Sequence, residues 1–256
     1  MLILLKNYLK FNTLFNLDIF LIYKQLKKIY VVVPVFNEDK VLKFVLDDLT
    51  SYNLWEVIVV NDGSNDNSRS ICNNYNIKII DHSVNSGQGA AIRTGINYAI
   101  RNNADIICTF DSDGQHRVED LQNMINLMLE NEKIDVVIGS RFINNVSKIP
   151  FRRKIALKFA ILLSKFIFGG NFTDVHNGLR VFNNNSARKI NLVSNRMEHA
   201  SLISESITKY KMRFVEMPVD IIYSEYSISK GQKLKDIIMT GFKLLLYKIK
   251  QNSTNN

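Results

Sequence analysis

From residue 29 onward, segments with the pattern of β-strands alternate with segments that have the pattern of α-helices. Residues 29–35 form a continuous run rich in β-branched side chains, as expected of a strand that is buried on both faces. Residues 38–49 instead carry apolar side chains at helical spacing. Because strands and helices alternate in this way, the sequence predicts an α/β fold with a mostly parallel twisted sheet covered by helices.

The predicted elements fall into two halves. In the first half, strands are predicted at residues 29–35, 55–60, 77–80, 106–110 and 134–138, and helices at 38–49, 89–100 and 118–129, with a further short helix opening after a turn-rich loop at 61–67. After residue 141 the pattern changes to a helix at 151–168, a strand at 178–182, a helix at 197–210, a strand at 213–219 and a basic helix at 234–249. We predict that this second half builds the acceptor side of a cleft.

The net charge of +9 is concentrated at the two ends of the chain. Residues 1–28 carry five lysines against one aspartate, and residues 230–250 carry six against one, which accounts for the whole excess. Because these lysines are mixed with Leu, Ile and Phe rather than spread over a folded face, the pattern favours peripheral contact with an anionic membrane over nucleic-acid binding. The alternative is a pair of ordinary amphipathic helices with solvated lysines.

The expected location is the cytoplasm, on the inner face of the cell membrane. Apolar runs such as 14–23 and 155–168 are shorter than the roughly 20 residues of a membrane span, or are interrupted by lysine. The N-terminus lacks the charged region and the cleavage site of a signal peptide. The two cysteines, Cys72 and Cys108, suggest neither a disulfide framework nor a metal site.

Polar clusters follow four of the predicted strands. Since ligands bind at the carboxyl ends of the strands in an open parallel sheet, we expect these clusters to converge on one edge. The clusters are Pro34-Val35-Phe36-Asn37-Glu38, Asn61-Asp62-Gly63-Ser64, Asp111-Ser112-Asp113-Gly114-Gln115-His116 and Gly139-Ser140-Arg141.

Asp111 and Asp113 flank a single residue directly after an apolar strand. Two carboxylates so close repel each other unless a cation lies between them, and Mg²⁺ or Mn²⁺ takes such oxygen ligands together with substrate phosphates. Gln115 adds a neutral oxygen two residues further on. The alternative is a solvated turn in which Gly114 supplies the unusual backbone angle.

Other polar residues have a structural interpretation beside any functional one. Asp62 is either a turn or cap residue or an acceptor for a nucleobase edge, and the structural interpretation of Glu38 is that it favours a helix N-terminus. His116 and His199 lie in contexts that resemble a site, although a lone histidine is more often structural.

Two other motif interpretations fit the sequence poorly. Gly87-Gln88-Gly89 resembles the start of a dinucleotide fingerprint, but its third glycine would fall at Ile92 and it does not follow the first strand. The Asp-Ser-Asp-Gly string is also similar to a haloacid-dehalogenase-like phosphatase signature. That signature continues with Thr rather than Gln115, and it belongs on the first strand of its fold.

Six motifs in order across residues 29–182 make the chain resemble family 2 glycosyltransferases with the GT-A fold, in particular the dolichyl- and polyprenyl-phosphate sugar synthases. The motifs are Val33-Pro34-Val35-Phe36-Asn37-Glu38, Val60-Asn61-Asp62-Gly63-Ser64, Asn85-Ser86-Gly87-Gln88-Gly89-Ala90, Asp111-Ser112-Asp113-Gly114-Gln115-His116, Gly139-Ser140-Arg141 and Asp174-Val175-His176-Asn177-Gly178-Leu179-Arg180. The last third matches more loosely, through Glu216-Met217-Pro218-Val219 and Ser229-Lys230-Gly231-Gln232.

The resemblance implies a role for each motif. Metal and diphosphate binding would fall to Asp111, Asp113 and Gln115, with Asp113 counted among the catalytic residues. Arg141 would meet the acceptor phosphate or the departing diphosphate. The nucleotide sugar would be bound by Pro34, Val35, Phe36, Asn37, Glu38, Asp62, Gly87, Gly89, Asp111, Ser112, Asp113 and Lys230, with Lys230 closing over the diphosphate from a loop.

The sequence departs from the family pattern at three places, and the last two concern the acceptor. Asn61 replaces a second Asp, His176-Asn177-Gly178 differs from the Ser-Gly of the lipid-phosphate branch, and residues 196–200 lie where polysaccharide-transferring members keep an acidic base. A lipid phosphate is already an anionic nucleophile, whereas a sugar hydroxyl requires a base, for which Glu198 and His199 are the candidates. Their structural alternative is a helix surface and a structural histidine.

Taken together, the sequence predicts an inverting, metal-dependent hexosyltransferase that uses Mg²⁺ or Mn²⁺ and a UDP- or GDP-sugar. The expected acceptor is polyprenyl phosphate, with a surface polysaccharide or lipid-linked saccharide as the alternative, and a non-catalytic GT-A scaffold as the alternative outside enzymes. The expected parts are an amphipathic segment at 1–28, a catalytic domain at 29–225 (donor half 29–141, acceptor half 142–225) and a basic loop and helix at 226–256. A homo-oligomer is compatible with the sequence, and no nucleic-acid partner is expected.

Overall fold

The computed structural model describes residues 27–143, 151–190, 192, 199–224 and 226. The strands are β1 (Ile29–Val35), β2 (Glu56–Asn61), β3 (Lys78–Asp81), β4 (Ile106–Thr109), β5 (Val136–Ser140), β6 (Arg180–Asn183) and β7 (Phe214–Pro218). The helices are α1 (Leu42–Ser51), α2 (Ser68–Cys72), α3 (Gln88–Arg101), α4 (Val118–Glu130), α5 (Phe151–Phe168), α6 (Asn184–Ala187) and α7 (His199–Lys209).

The seven strands form one sheet in the order β3-β2-β1-β4-β6-β5-β7. The pairs β1–β2, β1–β4, β2–β3 and β5–β7 are parallel. Strand β6 runs antiparallel to both of its neighbours, β4 and β5. The predicted α/β class with a mostly parallel sheet is therefore confirmed.

The first strand shows why the sheet is covered on both sides. Successive side chains of a strand point to opposite faces. Ile29, Val31 and Val33 pack into one apolar cluster together with residues of α1 and α4. Tyr30 and Val32 pack into a second cluster on the other face, with residues of α3 and α7. All seven residues of β1 are buried, as the continuous apolar run predicts.

One glycine sets how closely a helix approaches the sheet. A Cβ atom added to Gly95 of α3 would lie 2.2 Å from Cγ1 of Val32. Because this distance is far below van der Waals contact, a side chain at position 95 would force α3 away from β1. Helix α3 also begins at the cleft described below, so this packing fixes its first turn.

Most predicted elements are present, with three differences. Helix α1 starts at Leu42 rather than at residue 38, because residues 38–41 form a turn in which the Glu38 carbonyl accepts from the Val41 and Leu42 amides. The short helix α6 was not predicted. The predicted segments 1–28 (except Lys27 and Lys28) and 234–249 lie outside the described residues. No helix in the described ranges is long and apolar enough to cross a membrane.

Candidate active site

A cleft of about 660 Å³ opens at the edge of the sheet where β1, β2, β4 and β5 end. Strand β6 runs the other way and begins at this edge, so it brings the segment that precedes it to the same place. The volume lies within the range of roughly 300–1,000 Å³ that is usual for small-ligand sites. The residues that line the cleft include Glu38, Asp62, Asp111, Asp113, Gln115, His116, Arg141, His176, Asn177, Gly178, Arg180 and His199.

The turn after β1 is tied to the loop after β2 by side-chain hydrogen bonds. The Asn37 amide donates to Ser64 Oγ at 3.1 Å, and the Glu38 amide donates to Ser68 Oγ at 2.8 Å. Asn37 adopts a positive φ of 55°, which asparagine tolerates better than most residues. These contacts hold the Glu38 carboxylate at the cleft, where Oε2 accepts from the Tyr226 hydroxyl at 2.7 Å.

Asp62 is buried at the end of β2 and its carboxylate is well satisfied. Oδ1 accepts from the Ser86 amide at 2.9 Å and contacts His82 Nδ1 at 2.7 Å, while Oδ2 accepts from the Gly87 amide at 2.7 Å. Gly87 has a φ of 99°, a backbone conformation that favours glycine. Asp62 therefore fixes the loop that leads into α3, in addition to lining the cleft.

Asp111, just beyond β4, is oriented by two side chains. Oδ1 accepts from Gln88 Nε2 at 2.9 Å, and Oδ2 lies 3.2 Å from His116 Nε2. Burial opposes ionisation, but the hydrogen bond with His116 and the nearby His116, His199 and Arg180 charges lower the pKa of Asp111 below its usual value. A carboxylate held ionised at the cleft surface can accept a cation.

The pKa of Asp113 shifts in the opposite direction. Burial, followed by the negative charge of Asp111, raises the pKa of Asp113 to about 6. A divalent cation between the two groups would relieve this repulsion, and the buried Gln115 lines the same part of the cleft. Within the described ranges, no cluster of three or more His, Cys, Asp or Glu side chains could hold a metal ion by itself. Mg²⁺ often binds through one or two carboxylates plus substrate phosphates, and the donor set fits that mode.

Gly178 lies directly against Asp111. A Cβ atom at position 178 would come within 2.0 Å of Asp111 Oδ2. The Thr109 hydroxyl donates to the Gly178 carbonyl at 2.6 Å, which holds the two segments together. The antiparallel pairing of β4 with β6 therefore brings the backbone before β6 against the carboxylate, and a side chain at position 178 would displace Asp111 from its present position.

Arg141, after β5, is buried and paired with the equally buried Asp174. Its Nε and Nη2 atoms donate to the two carboxylate oxygens at 2.6 and 2.7 Å, and its amide donates to Oδ2 at 3.1 Å. Burial alone would lower the pKa of Arg141, but the Asp174 charge raises it. Glu216 of β7 accepts from the Thr173 and Asp174 amides and so positions the aspartate.

Arg180, at the start of β6, is buried beside the same cleft. Its Nη2 donates to the Val175 carbonyl at 2.9 Å, whereas its Nη1 has no hydrogen-bond partner among the described residues. Burial lowers the pKa of Arg180 to about 10, so the guanidinium remains charged at neutral pH. A buried charged donor without a partner is costly, and a ligand in the cleft could satisfy it.

Three histidines line the wall of the cleft. His199 is the first residue of α7 and is 3% exposed. Burial lowers the pKa of His176 to about 4, so this imidazole is neutral at pH 7. His116 keeps Nδ1 buried without a partner among the described residues.

The structure brings most of the predicted site residues to this one cleft. Gly89 is an exception, because it is buried within the first turns of α3 and does not line the cleft. Glu198 and Lys230 lie outside the described residues. The cleft residues Gln88, His176, Asn177 and Arg180 were not predicted individually, although Gln88 belongs to the motif at 85–90 and the other three to the motif at 174–180.

Comparison with known proteins gives the family. A sequence model described as glycosyl transferase family 2 matches residues 30–190. An uncharacterised protein of Methanocaldococcus jannaschii is 36% identical over 88% of this chain and 92% of its own length. The chain therefore belongs to glycosyl transferase family 2.

Another relative has a more specific name. The UDP-N-acetylglucosamine–dolichyl-phosphate N-acetylglucosaminyltransferase of Methanococcus voltae is 33% identical, over 85% of this chain and 93% of its own length. The polyprenol monophosphomannose synthase of Mycolicibacterium smegmatis is 25% identical over 63% of this chain and 64% of its own length.

A solved structure confirms the GT-A fold. Glucosyl-3-phosphoglycerate synthase from Mycobacterium tuberculosis, crystallised with Mn²⁺ and UDP-glucose, superposes with a TM-score of 0.69. The alignment covers 90% of this chain and 82% of that chain at 13% sequence identity.

Proposed function

We propose that the chain transfers a hexose from a nucleoside diphosphate sugar to a polyprenyl phosphate, with the help of Mg²⁺ or Mn²⁺. The observation that supports this best is the paired Asp111 and Asp113 at the floor of a cleft that also contains an unsatisfied buried arginine. The relative from Methanococcus voltae carries the name of such an activity and covers nearly the same length.

Asp111, Asp113 and Gln115 would hold the divalent cation. When bound, the cation supplies Lewis acidity to the leaving diphosphate. Arg180 would donate from Nη1 to a phosphate oxygen, because it lies beside Asp111 and has a donor to spare. Glu38, Asp62 and the backbone at 34–37 would receive the nucleoside at the other end of the cleft.

The chemical step would be a single in-line displacement that inverts the anomeric centre. An oxygen of the acceptor phosphate forms a bond to the anomeric carbon, while the bond from that carbon to the diphosphate oxygen breaks and its electron pair stays on the diphosphate. The acceptor oxygen is already anionic, so no base is needed. The neutral His176 and the buried His199 would face the reacting sugar.

A saccharide acceptor is the alternative, and one observation favours it. His199 lies at the cleft, where an imidazole could take the proton from a sugar hydroxyl. A surface polysaccharide or lipid-linked saccharide would then replace the lipid phosphate.

Peripheral contact with the inner membrane face completes the proposal. The basic terminal segments at 1–28 and 226–256 would supply it, on either side of the catalytic part at 29–225.

An acceptor assay tests the proposal. The full chain would be incubated with radiolabelled UDP- and GDP-sugars, Mn²⁺, and either short-chain polyprenyl phosphates or free saccharides. We expect label in the polyprenyl phosphate with one donor, and its loss in Asp113→Asn. Label only in saccharides would favour the alternative, and in that case His199→Gln should abolish it. No transfer with any pair would reject the enzyme proposal.

A further inference from the structure

Helix α5 exposes an apolar stripe to solvent. Eleven large hydrophobic side chains are exposed among the described residues, and five of them lie on this one helix. Isolated exposed apolar residues are ordinary, but a contiguous patch marks an interaction surface. The five are Phe151 (77% exposed), Ile155 (53%), Phe159 (44%), Leu162 (64%) and Phe166 (85%).

The spacing of these residues places them on one face. They follow each other at intervals of four, four, three and four, which is the periodicity of a single helical stripe. From Phe151 to Phe166 the stripe extends over about 22 Å at the usual helical rise. Such a stripe on a water-soluble helix normally faces the core, but here it faces away from it.

The opposite face of α5 is the one that packs on the protein. Leu157 and Ser164, seven residues apart, are buried, and Ile161 packs against the apolar cluster on that side of the sheet. Leu157 also lines the cleft described above. One helix therefore separates the cleft from the exposed apolar surface.

Lysines border the stripe. Lys158 and Lys165 are exposed and Lys154 is half-buried, and the 100° turn per residue places all three along one edge of the apolar face. Acidic residues are absent from residues 151–168. An apolar face with a row of cations beside it is complementary to the apolar interior and anionic headgroups of a lipid bilayer.

We propose that the outer face of α5 inserts into the headgroup region of an anionic bilayer. Phe151, Ile155, Phe159, Leu162 and Phe166 would reach the acyl boundary, while the three lysines contact lipid phosphates. This surface belongs to a different part of the sequence from the basic terminal segments, and its insertion would place the cleft beside the bilayer. Its link to an acceptor drawn from the membrane rests on the proposed function.

A second copy of the chain is a less suitable occupant. Lysines are depleted at protein–protein interfaces, whereas their long side chains are favoured at membrane surfaces, where the charged end stays in water. The composition of α5 therefore favours lipid over a dimer.

Vesicle binding by the full-length chain tests the proposal. Cosedimentation would be measured with vesicles of phosphatidylglycerol and phosphatidylcholine, and with pure phosphatidylcholine. Leu162→Gln/Phe166→Gln removes the apolar contact while keeping a good helix former, and Lys158→Gln/Lys165→Gln removes the charge. The matched control is Phe44→Gln, because Phe44 is 67% exposed on α1, away from α5 and the cleft.

The wild-type chain should bind the anionic vesicles. We expect the apolar variant to bind at least about tenfold more weakly to them, because two insertable side chains are lost. The lysine variant should lose most of its preference for anionic over zwitterionic vesicles, and Phe44→Gln should bind like the wild type. All variants should keep the wild-type melting temperature, since the changed residues are exposed.

Each other outcome has a distinct meaning. If the wild type binds vesicles and the apolar variant binds equally well, the α5 proposal is wrong, and the terminal segments remain as the membrane contact. If the wild type binds no vesicles, the α5 proposal and the proposed membrane contact of the terminal segments are both wrong. If the variant alters only the sedimentation coefficient, α5 is a dimer interface and the proposal is wrong. Sugar transfer to a short-chain acceptor in detergent is measured separately. A failure of the proposed function can therefore be distinguished from a failure of membrane binding.

Discussion

The region around Arg141 and the region around Arg180 each place a buried guanidinium group at the same cleft, but the two groups differ in their hydrogen bonds. Arg141 makes two side-chain hydrogen bonds with the buried carboxylate of Asp174, and the Asp174 amide in turn donates to Glu216. Arg180 has one hydrogen bond to a carbonyl and a second nitrogen without a described partner. Removing the partner of a buried paired charge destabilises the fold strongly, whereas a buried charge that is incompletely paired has a donor available for a ligand.

The largest expected effect is on the free energy of unfolding, in the region around Arg141. Asp174→Ala leaves the Arg141 charge buried without its partner, so we expect the free energy of unfolding to fall by about 3–5 kcal/mol. Urea denaturation measures this. The control is Lys43→Ala, which breaks an exposed pair with Asp47 and should change the free energy of unfolding far less. Equal losses in the two variants would contradict the expectation that the buried Arg141–Asp174 pair matters more for stability than an exposed pair.

The next largest effect is on nucleotide affinity, in the region around Arg180. Arg180→Gln should weaken the binding of UDP or GDP in the presence of Mn²⁺ by about 10- to 100-fold, the usual value of a charged hydrogen bond. The same variant should lose less stability than Asp174→Ala. Calorimetric titration and urea denaturation measure the two quantities. An unchanged affinity would show that Nη1 does not meet the diphosphate.

The smallest effect is a pH dependence. The pKa of Asp113 is raised to about 6, so the group gains a proton as the pH falls below that value. Because a cation binds the deprotonated form, Mn²⁺-dependent nucleotide affinity should fall by up to about tenfold for each pH unit below 6. Titrations between pH 5 and 7.5 measure this. In Asp113→Asn the inflection near pH 6 should be absent, and its persistence would assign the titration to another group.

The first half of the fold could be predicted almost completely from the sequence. Strands such as β1 are buried on both faces, so an uninterrupted apolar run identifies them. The polar residues that follow them, such as Asp62 and Asp111, reach one edge because parallel strands end together. This is why the part of the cleft that is built by the first half of the chain was predictable residue by residue.

The second half was less predictable because its key feature is a long-range pairing. Strand β6 is inserted antiparallel between β4 and β5, and no local pattern reveals its neighbours or its direction. That insertion brings Arg180 and Gly178 to Asp111. The sequence named Arg141 as a phosphate contact, but its partner Asp174 lies 33 positions away and became evident only in the fold. The role of Arg141 toward a phosphate stays a prediction.

The most direct test of the account is a calorimetric titration of the full-length chain with UDP and with GDP, each with and without Mn²⁺. We expect saturable binding of one nucleotide that is at least about tenfold tighter with Mn²⁺ than without it, because Asp111 and Asp113 need a cation to accept a diphosphate. Equal affinity with and without Mn²⁺, or no binding of either nucleotide, would contradict it.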